Sequence, residues 1–219
     1  TYNKSIYIFE IKGMRSSFII LGVLVSRLVF AQPPDNKYLY AKFGAGIGNM
    51  NGGKISLEYI SHKGQSFTLA VCGQTRNAPA IPPDYVSPSG IFGKIFFLGL
   101  DLDYPKETRT TVYLATGTVY TLNNTGKTRF NLSGGIGCSY LTTPVHFVRK
   151  EPEFTAENYT YSNKAGYSVA IVFNPTVDFA LWNYFGFSTG LISIMSKDRV
   201  SCAIEISYLF GYVNSRKKK

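Results

Sequence analysis

Charge is scarce in this sequence. Only 16% of its 219 residues are Asp, Glu, Lys or Arg, against roughly 25% in ordinary soluble domains, so a charged, solvent-facing shell is hard to assemble. Histidine is nearly missing, with His62 and His146 alone. Cysteine stops at Cys72, Cys138 and Cys202; an odd number, far apart and without metal-ligand spacing, argues against a disulfide framework and reads as small apolar strand residues. Dinucleotide, phosphate-loop and zinc signatures are absent. Gly44-Ala45-Gly46-Ile47-Gly48 comes nearest to a nucleotide loop, but it ends an alternating segment with no helix behind it, and glycines on a crowded barrel interior explain it better. There is also no unbroken apolar run of the roughly 20 residues a membrane-spanning helix requires.

Aromatic residues and glycine are plentiful instead: 16 Tyr, 16 Phe and 21 Gly, a composition of strands and tight turns, which favours an all-β chain. From Met14 onward, Arg15 supplies a positive start, Phe18 to Val25 an apolar stretch, and Val29-Phe30-Ala31 a site for signal peptidase. Cleavage between Ala31 and Gln32 is expected, with residues 1–31 as upstream residues and signal peptide, 32–213 as the folded unit and 214–219 as a basic tail. Residues 32–219 carry nineteen Lys and Arg against twelve Asp and Glu, a net charge of +7. Apart from Arg216-Lys217-Lys218-Lys219 these charges are scattered, so no basic stripe for nucleic acid is expected.

The segment Val200 to Tyr212 sets the pattern. Val200, Cys202, Ile204, Ile206, Tyr208, Phe210 and Tyr212 share one face; Ser201, Ala203, Glu205, Ser207 and Gly211 share the other. Similar alternation delimits ten strands: Tyr38–Gly48, Gly53–Ser61, Gln65–Gly73, Ile91–Asp103, Thr108–Leu122, Thr128–Leu141, Val145–Glu153, Ala165–Ala180, Asn183–Met195 and Val200–Val213. Asn49-Met50-Asn51-Gly52, Asn123-Asn124-Thr125-Gly126 and Ser196-Lys197-Asp198-Arg199 supply hairpin turns. With ten strands the two long connections, Gln74 to Gly90 and Phe154 to Lys164, emerge on one side; the short ones at His62–Gly64, Tyr104–Glu107, Thr142–Pro144 and Leu181–Trp182 fall on the other. That asymmetry is the one bacterial membrane barrels have. Eight strands is the alternative count.

The polar faces are small-residue surfaces with isolated charges, while the apolar faces are large. An inside-out barrel, apolar to lipid and polar within, fits this better than a lipocalin-like one. Tyr38, Tyr59, Tyr104, Tyr120, Tyr140, Tyr208 and Tyr212 gather near strand ends, as interfacial girdles require.

From the leader, the hairpin turns, the alternating strands and the aromatic last strand Ser207-Tyr208-Leu209-Phe210-Gly211-Tyr212, the chain resembles the small outer-membrane β-barrel families of Gram-negative bacteria, the OmpX-, OmpA- and OmpW-like barrels. The resemblance spans about Gln32 to Val213. It implies a closed antiparallel up-and-down transmembrane barrel in the cell outer membrane, with outer-membrane lipid and the barrel-assembly machinery as partners. It brings no catalytic residue and no cofactor. The role expected is non-enzymatic: envelope structure, surface interaction or limited, porin-like permeation. The alternatives are an outer-membrane lipid-modifying enzyme and a soluble exported barrel holding a lipid-like ligand.

Seven charged residues are candidates for a lumen network: Lys42, Lys54, Glu58, Asp101, Arg129, Asp178 and Glu205. Three bases and four acids nearly cancel, and buried charges are costly unless paired. A register with Gly46 opposite Lys54 sets Lys42 opposite Glu58, and barrel closure brings Glu205 beside Lys42. Asp101, Asp103 and Glu107 lack a calcium loop and read as solvated strand ends. Both histidines fall at or next to short turns, away from the rim where a lipid hydrolase would need them. The Pro-rich 74–90 loop, with Asp84 and Tyr85, is the best recognition segment, and with the 154–164 loop it is where an extracellular ligand would bind.

Overall fold

The computed structural model describes residues 37–85, 104–123, 125–150 and 158–213. The leader, the Ile91–Asp103 segment with Asp101, and the basic tail lie outside them. Eight strands occupy the described residues: β1 (Tyr38–Gly48), β2 (Asn51–Ile60), β3 (Gln65–Asn77), β4 (Lys106–Thr121), β5 (Thr128–Arg149), β6 (Tyr159–Ala180), β7 (Phe185–Ser196) and β8 (Val200–Tyr212). Each pairs antiparallel with the next, and β8 returns to β1 through ten register pairs from Leu39↔Tyr212 to Gly48↔Ala203. The ring therefore closes with eight strands, the alternative count, and not ten.

Of the two expected strands without a place of their own in the ring, Ile91–Asp103 lies outside the described residues, between β3 and β4, which pair directly, and Val145–Glu153 is lost by merger. Thr142-Thr143-Pro144 read as a turn, yet Pro144 lies inside β5, opposite Asn163 of β6. On its other side β4 stops pairing at Thr142, so the amide hydrogen that proline lacks is not needed by any strand there. Residues 145–149 of the expected Val145–Glu153 strand are thus the upper part of β5, and 151–153 lie outside the described residues. Likewise, Gln74 to Asn77 continue β3 instead of starting a loop, pairing with Arg109 to Lys106 of β4.

Side-chain period decides what faces where. On β8, Ile204, Ile206 and Tyr208 are 61%, 62% and 58% exposed, while Ser201, Glu205 and Ser207 are buried. On β6, Tyr167, Val169, Ile171 and Phe173 point out, and Asn174, Thr176 and Asp178 point in. A soluble lipid-carrying barrel would turn the large apolar set inward; this one turns it outward.

Large aromatics ring the end carrying the 61–64, 122–127 and 181–184 turns, here the lower end. Phe179 stacks on Phe187 at 4.5 Å, Phe185 on Tyr208 at 6.1 Å and Tyr59 on Phe67 at 6.5 Å. Tyr140 and Tyr167, 4.7 Å apart, belong to the opposite level. Tyr38 departs from the expected girdle: it is buried in the lumen, with the Arg129 guanidinium 4.2 Å above its ring.

Glycine makes the interior possible where strands approach closely. A Cβ on Gly137 would sit 2.3 Å from the Val112 carbonyl oxygen and 2.6 Å from the Tyr113 Cβ, so only glycine leaves room for the buried Tyr113 ring on the neighbouring strand. At the upper end, β5 and β6 run 22 residues each. Above Thr142 they continue as a two-stranded ribbon, about 20 Å long at roughly 3.3 Å per residue. The ribbon contains a bulge between Val145 and Val148, with His146 at φ 54°.

Candidate functional site

The lumen is filled by its own polar side chains, in three tiers. In the lowest, Lys42 Nζ lies 2.8 Å from Glu58 Oε2 and 2.9 Å from Asp178 Oδ1. The Tyr40 hydroxyl donates to Asp178 Oδ2 at 2.7 Å. Asn131 donates to Glu58 and accepts from Ser66 at 3.0 Å. Arg129 faces Asp178 in register, donates from Nη1 to the Val213 carbonyl at 2.7 Å and lies over the Tyr38 ring. Period two puts all these groups inside, and ring closure brings β1, β2, β5 and β6 within reach of one another across a narrow bore.

In the middle tier, Lys54 Nζ pairs with Glu205 Oε2 at 2.7 Å and donates to Asn174 Oδ1 at 2.9 Å. Above it, Arg109 donates from Nε to Ser139 Oγ at 3.2 Å, and from Nη1 to Ser201 Oγ at 3.1 Å and the Ile194 carbonyl at 3.2 Å. Ser201 in turn donates to Gln74 Oε1 at 2.8 Å. At the upper mouth, Glu107 receives Arg76 Nε at 2.8 Å, Arg199 Nη2 at 2.7 Å and the Thr143 hydroxyl at 3.0 Å. That clamp ties β3, β4, β5 and the 197–199 turn together. The void between Lys54, Cys72, Gln74 and Glu205 measures ≈ 10 Å³, room for about one water molecule.

Six of the seven sequence-derived lumen residues meet in this network; Asp101 lies outside the described residues. Their pairing differs from the expected one. The register sets Lys42 opposite Ser56 and Gly44 opposite Lys54, two residues from expectation. Lys42 still reaches Glu58, as a diagonal neighbour. Glu205 sits opposite Gly46 and pairs with Lys54, not with Lys42.

Sequence reasoning missed Arg109, Glu107, Arg76 and Arg199. Glu107 is wholly buried, the opposite of a solvated strand end. The signal was available: Val112 and Leu114 point out, so Arg109, Thr111 and Tyr113 had to point in. The bulky aromatic on the inner face concealed that parity. Among the described residues, no cluster of His, Cys, Asp and Glu is arranged to hold a metal ion.

Outside the lumen, Tyr85 of the 78–105 connection is buried against Tyr104, Phe147 and Tyr159, with ring centroids 5.5, 6.5 and 6.4 Å away. Asp84 beside it accepts from the Tyr159 hydroxyl at 2.8 Å, and its carbonyl accepts from Asn158 Nδ2 at 2.7 Å. The hydrogen bond to Asp84 pushes the Tyr159 phenol up from its ordinary value of 10.0. Both recognition candidates therefore hold their own loop against the β5–β6 ribbon. His146 does not lie near a lower turn. It stands on the ribbon, its Nδ1 3.2 Å from Ser162 Oγ, because the expected 142–144 turn is continuous strand.

The fold is that of outer-membrane β-barrels. A major outer membrane protein from Thermus thermophilus superposes with a TM-score of 0.54 at 8% identity, over 80% of this chain and 99% of that one. Ail, the attachment invasion locus protein of Yersinia pestis, gives 0.43 at 7% identity over 80% and 95%. The N-terminal β-barrel domain of Pseudomonas aeruginosa OprF gives 0.38 at 10% identity over 82% and 98%. No family model and no curated protein matches the sequence.

Proposed function

We propose that this chain is an integral protein of the Gram-negative outer membrane, exported by its leader and inserted by the barrel-assembly machinery. Its role is non-enzymatic: it supports the envelope and presents the β5–β6 ribbon and residues 78–85 at the cell surface, where an extracellular ligand would meet them. The observation that carries this reading is the inside-out polarity of a closed ring, with Asp178 and Glu205 inward and Ile204, Ile206 and Tyr208 outward. Such a surface is stable in lipid and would aggregate in water. The tiers of ion-paired and hydrogen-bonded side chains that cross the bore from Lys42 to Arg109 support a plugged barrel over a permeation path. The protein is expected in the outer-membrane fraction, migrating faster in detergent gels before boiling than after it. Recovery as a soluble periplasmic species would sink the proposal.

One observation favours a second reading, a surface enzyme acting on outer-leaflet lipid. His146 and Ser162 lie at base-to-nucleophile distance, on the ribbon. Both are exposed, and neither carboxylate nor amide orients His146 among the described residues, so this reading ranks second. A lipid-modifying activity unchanged by His146→Ala would remove it.

A further inference from the structure

The outer wall of the barrel is not evenly convex. Between two register rows of outward side chains, Leu39, Tyr59 and Phe67 in one and Leu69, Leu114 and Ile136 in the other, a groove of ≈ 560 Å³ opens to the surroundings, and none of its lining residues is charged. That volume is in the range of ligand sites. With each methylene given about 30 Å³, the share of a water molecule in the liquid, the groove holds a fatty-acyl chain of roughly 15–20 carbons. It also climbs the wall: Leu39 is the second residue of β1, at the lower end, whereas Ile136 is the ninth of β5, well above the lower turns.

Gly134 keeps the groove open. It takes the outward position between Leu132 and Ile136, beside Thr116 of β4, and a Cβ there would meet only the Val172 carbonyl oxygen, at 3.6 Å, an ordinary contact. Gly135 and Gly137 differ, because a Cβ on either would collide with the carbonyl oxygens of Leu114 and Val112 on β4. Strand packing accounts for those two glycines and does not require Gly134.

The lower end of the groove is basic. Lys37, two residues before Leu39 and so about 7 Å below it along the chain, is exposed, as is Lys63 on the turn that joins the strand of Tyr59 to the strand of Phe67. Among the described residues no exposed carboxylate lies at this end, since Glu58 and Asp178 are buried in the lumen and paired with Lys42. A negative headgroup is complemented here, while the ammonium of a zwitterionic one has no carboxylate to meet. Lipid tails are as apolar as the groove, so hydrophobicity alone selects nothing in a bilayer; the fit of one chain and the charge of its headgroup do the selecting.

We propose that the outer wall of β1 to β5 holds one anionic phospholipid of the lower leaflet, with an acyl chain in the groove over Gly134 and the phosphate between Lys37 and Lys63. The site rests on the chain being a membrane barrel, as proposed above.

The full chain is refolded in detergent and titrated with phosphatidylglycerol or phosphatidylcholine of identical acyl chains, and the lipid retained is counted by native mass spectrometry. One phosphatidylglycerol per chain is expected, bound roughly 25-fold more tightly than phosphatidylcholine, at about fivefold for each of the two lysines. Lys37→Gln/Lys63→Gln should remove that preference, Gly134→Phe should fill the groove and expel either lipid, and Lys197→Gln at the upper turn should change neither. Should Gly134→Phe fail to fold, Thr116→Phe fills the groove from the adjacent strand. Equal retention of the two lipids, a preference that survives Lys37→Gln/Lys63→Gln, or binding that survives a filled groove would overturn the inference. Insertion of the same preparation into phosphatidylcholine vesicles would leave the membrane barrel standing in each of those cases, whereas failure to insert into vesicles of either lipid would remove both.

Discussion

Lys42 holds the lowest tier of the lumen together, since it is the cation shared by Glu58 and Asp178. Lys42→Met would leave two carboxylates facing each other in a closed interior with Arg129 as their nearest cation, a loss of about 3–5 kcal/mol for a broken buried pair. Urea unfolding in lipid vesicles is the measurement; the double variant Lys42→Met/Glu58→Gln should regain part of the loss, and a single variant as stable as the unmodified chain would contradict the network. The composition of this network could be read from alternation alone. Its pairing could not, because a two-residue shift of register preserves every face and changes every partner. Arg109 escaped for a different reason: Tyr113 puts a large ring on the inner face of β4, so the two faces of that strand look alike in size.

At the level of strands and loops, the segment that follows β3 is pinned to the ribbon by Tyr85 and Asp84. Tyr159→Phe removes one hydrogen bond of that clasp while keeping the ring, and hydrogen exchange of residues 78–85 should become faster, by roughly the ~1 kcal/mol typical of such a bond. The clasp also has a pH signature. Because the Tyr159 phenol is raised in the folded chain, its contribution is present below pH 10.0 and is lost as pH climbs past that value toward the folded one. Exchange that stays flat through this range would show that the hydroxyl plays no part. Strand identity was legible for most of the ring, whereas the ends of β3 and β5 were not. Gln74, Arg76 and Pro144 look like loop residues in isolation. Only pairing across the barrel mouth makes them strand.

For the whole molecule, the outward face should obey the energetics of lipid rather than of water. Ile206, near the middle of β8 and 62% exposed, is the test position: Ile206→Arg is expected to cost about 2–4 kcal/mol at mid-belt. The same substitution on a soluble barrel would be close to neutral, so unfolding from vesicles distinguishes the two surroundings. The inside-out arrangement was legible because composition and alternation both reflect solvent. The strand count was harder, because Thr142-Thr143-Pro144 reads as a turn in isolation and is continuous strand in the ring.

Arg129 belongs to β5, yet it touches the residues that begin and end the ring, stacking over Tyr38 and bonding to the carbonyl of Val213. Neither contact alone requires a finished structure. Holding both together requires the first and last strands to have met, so this guanidinium can take its native seat only in the final event of assembly. A spectroscopic reporter at that position would time the closing of the seam separately from the insertion of the strands.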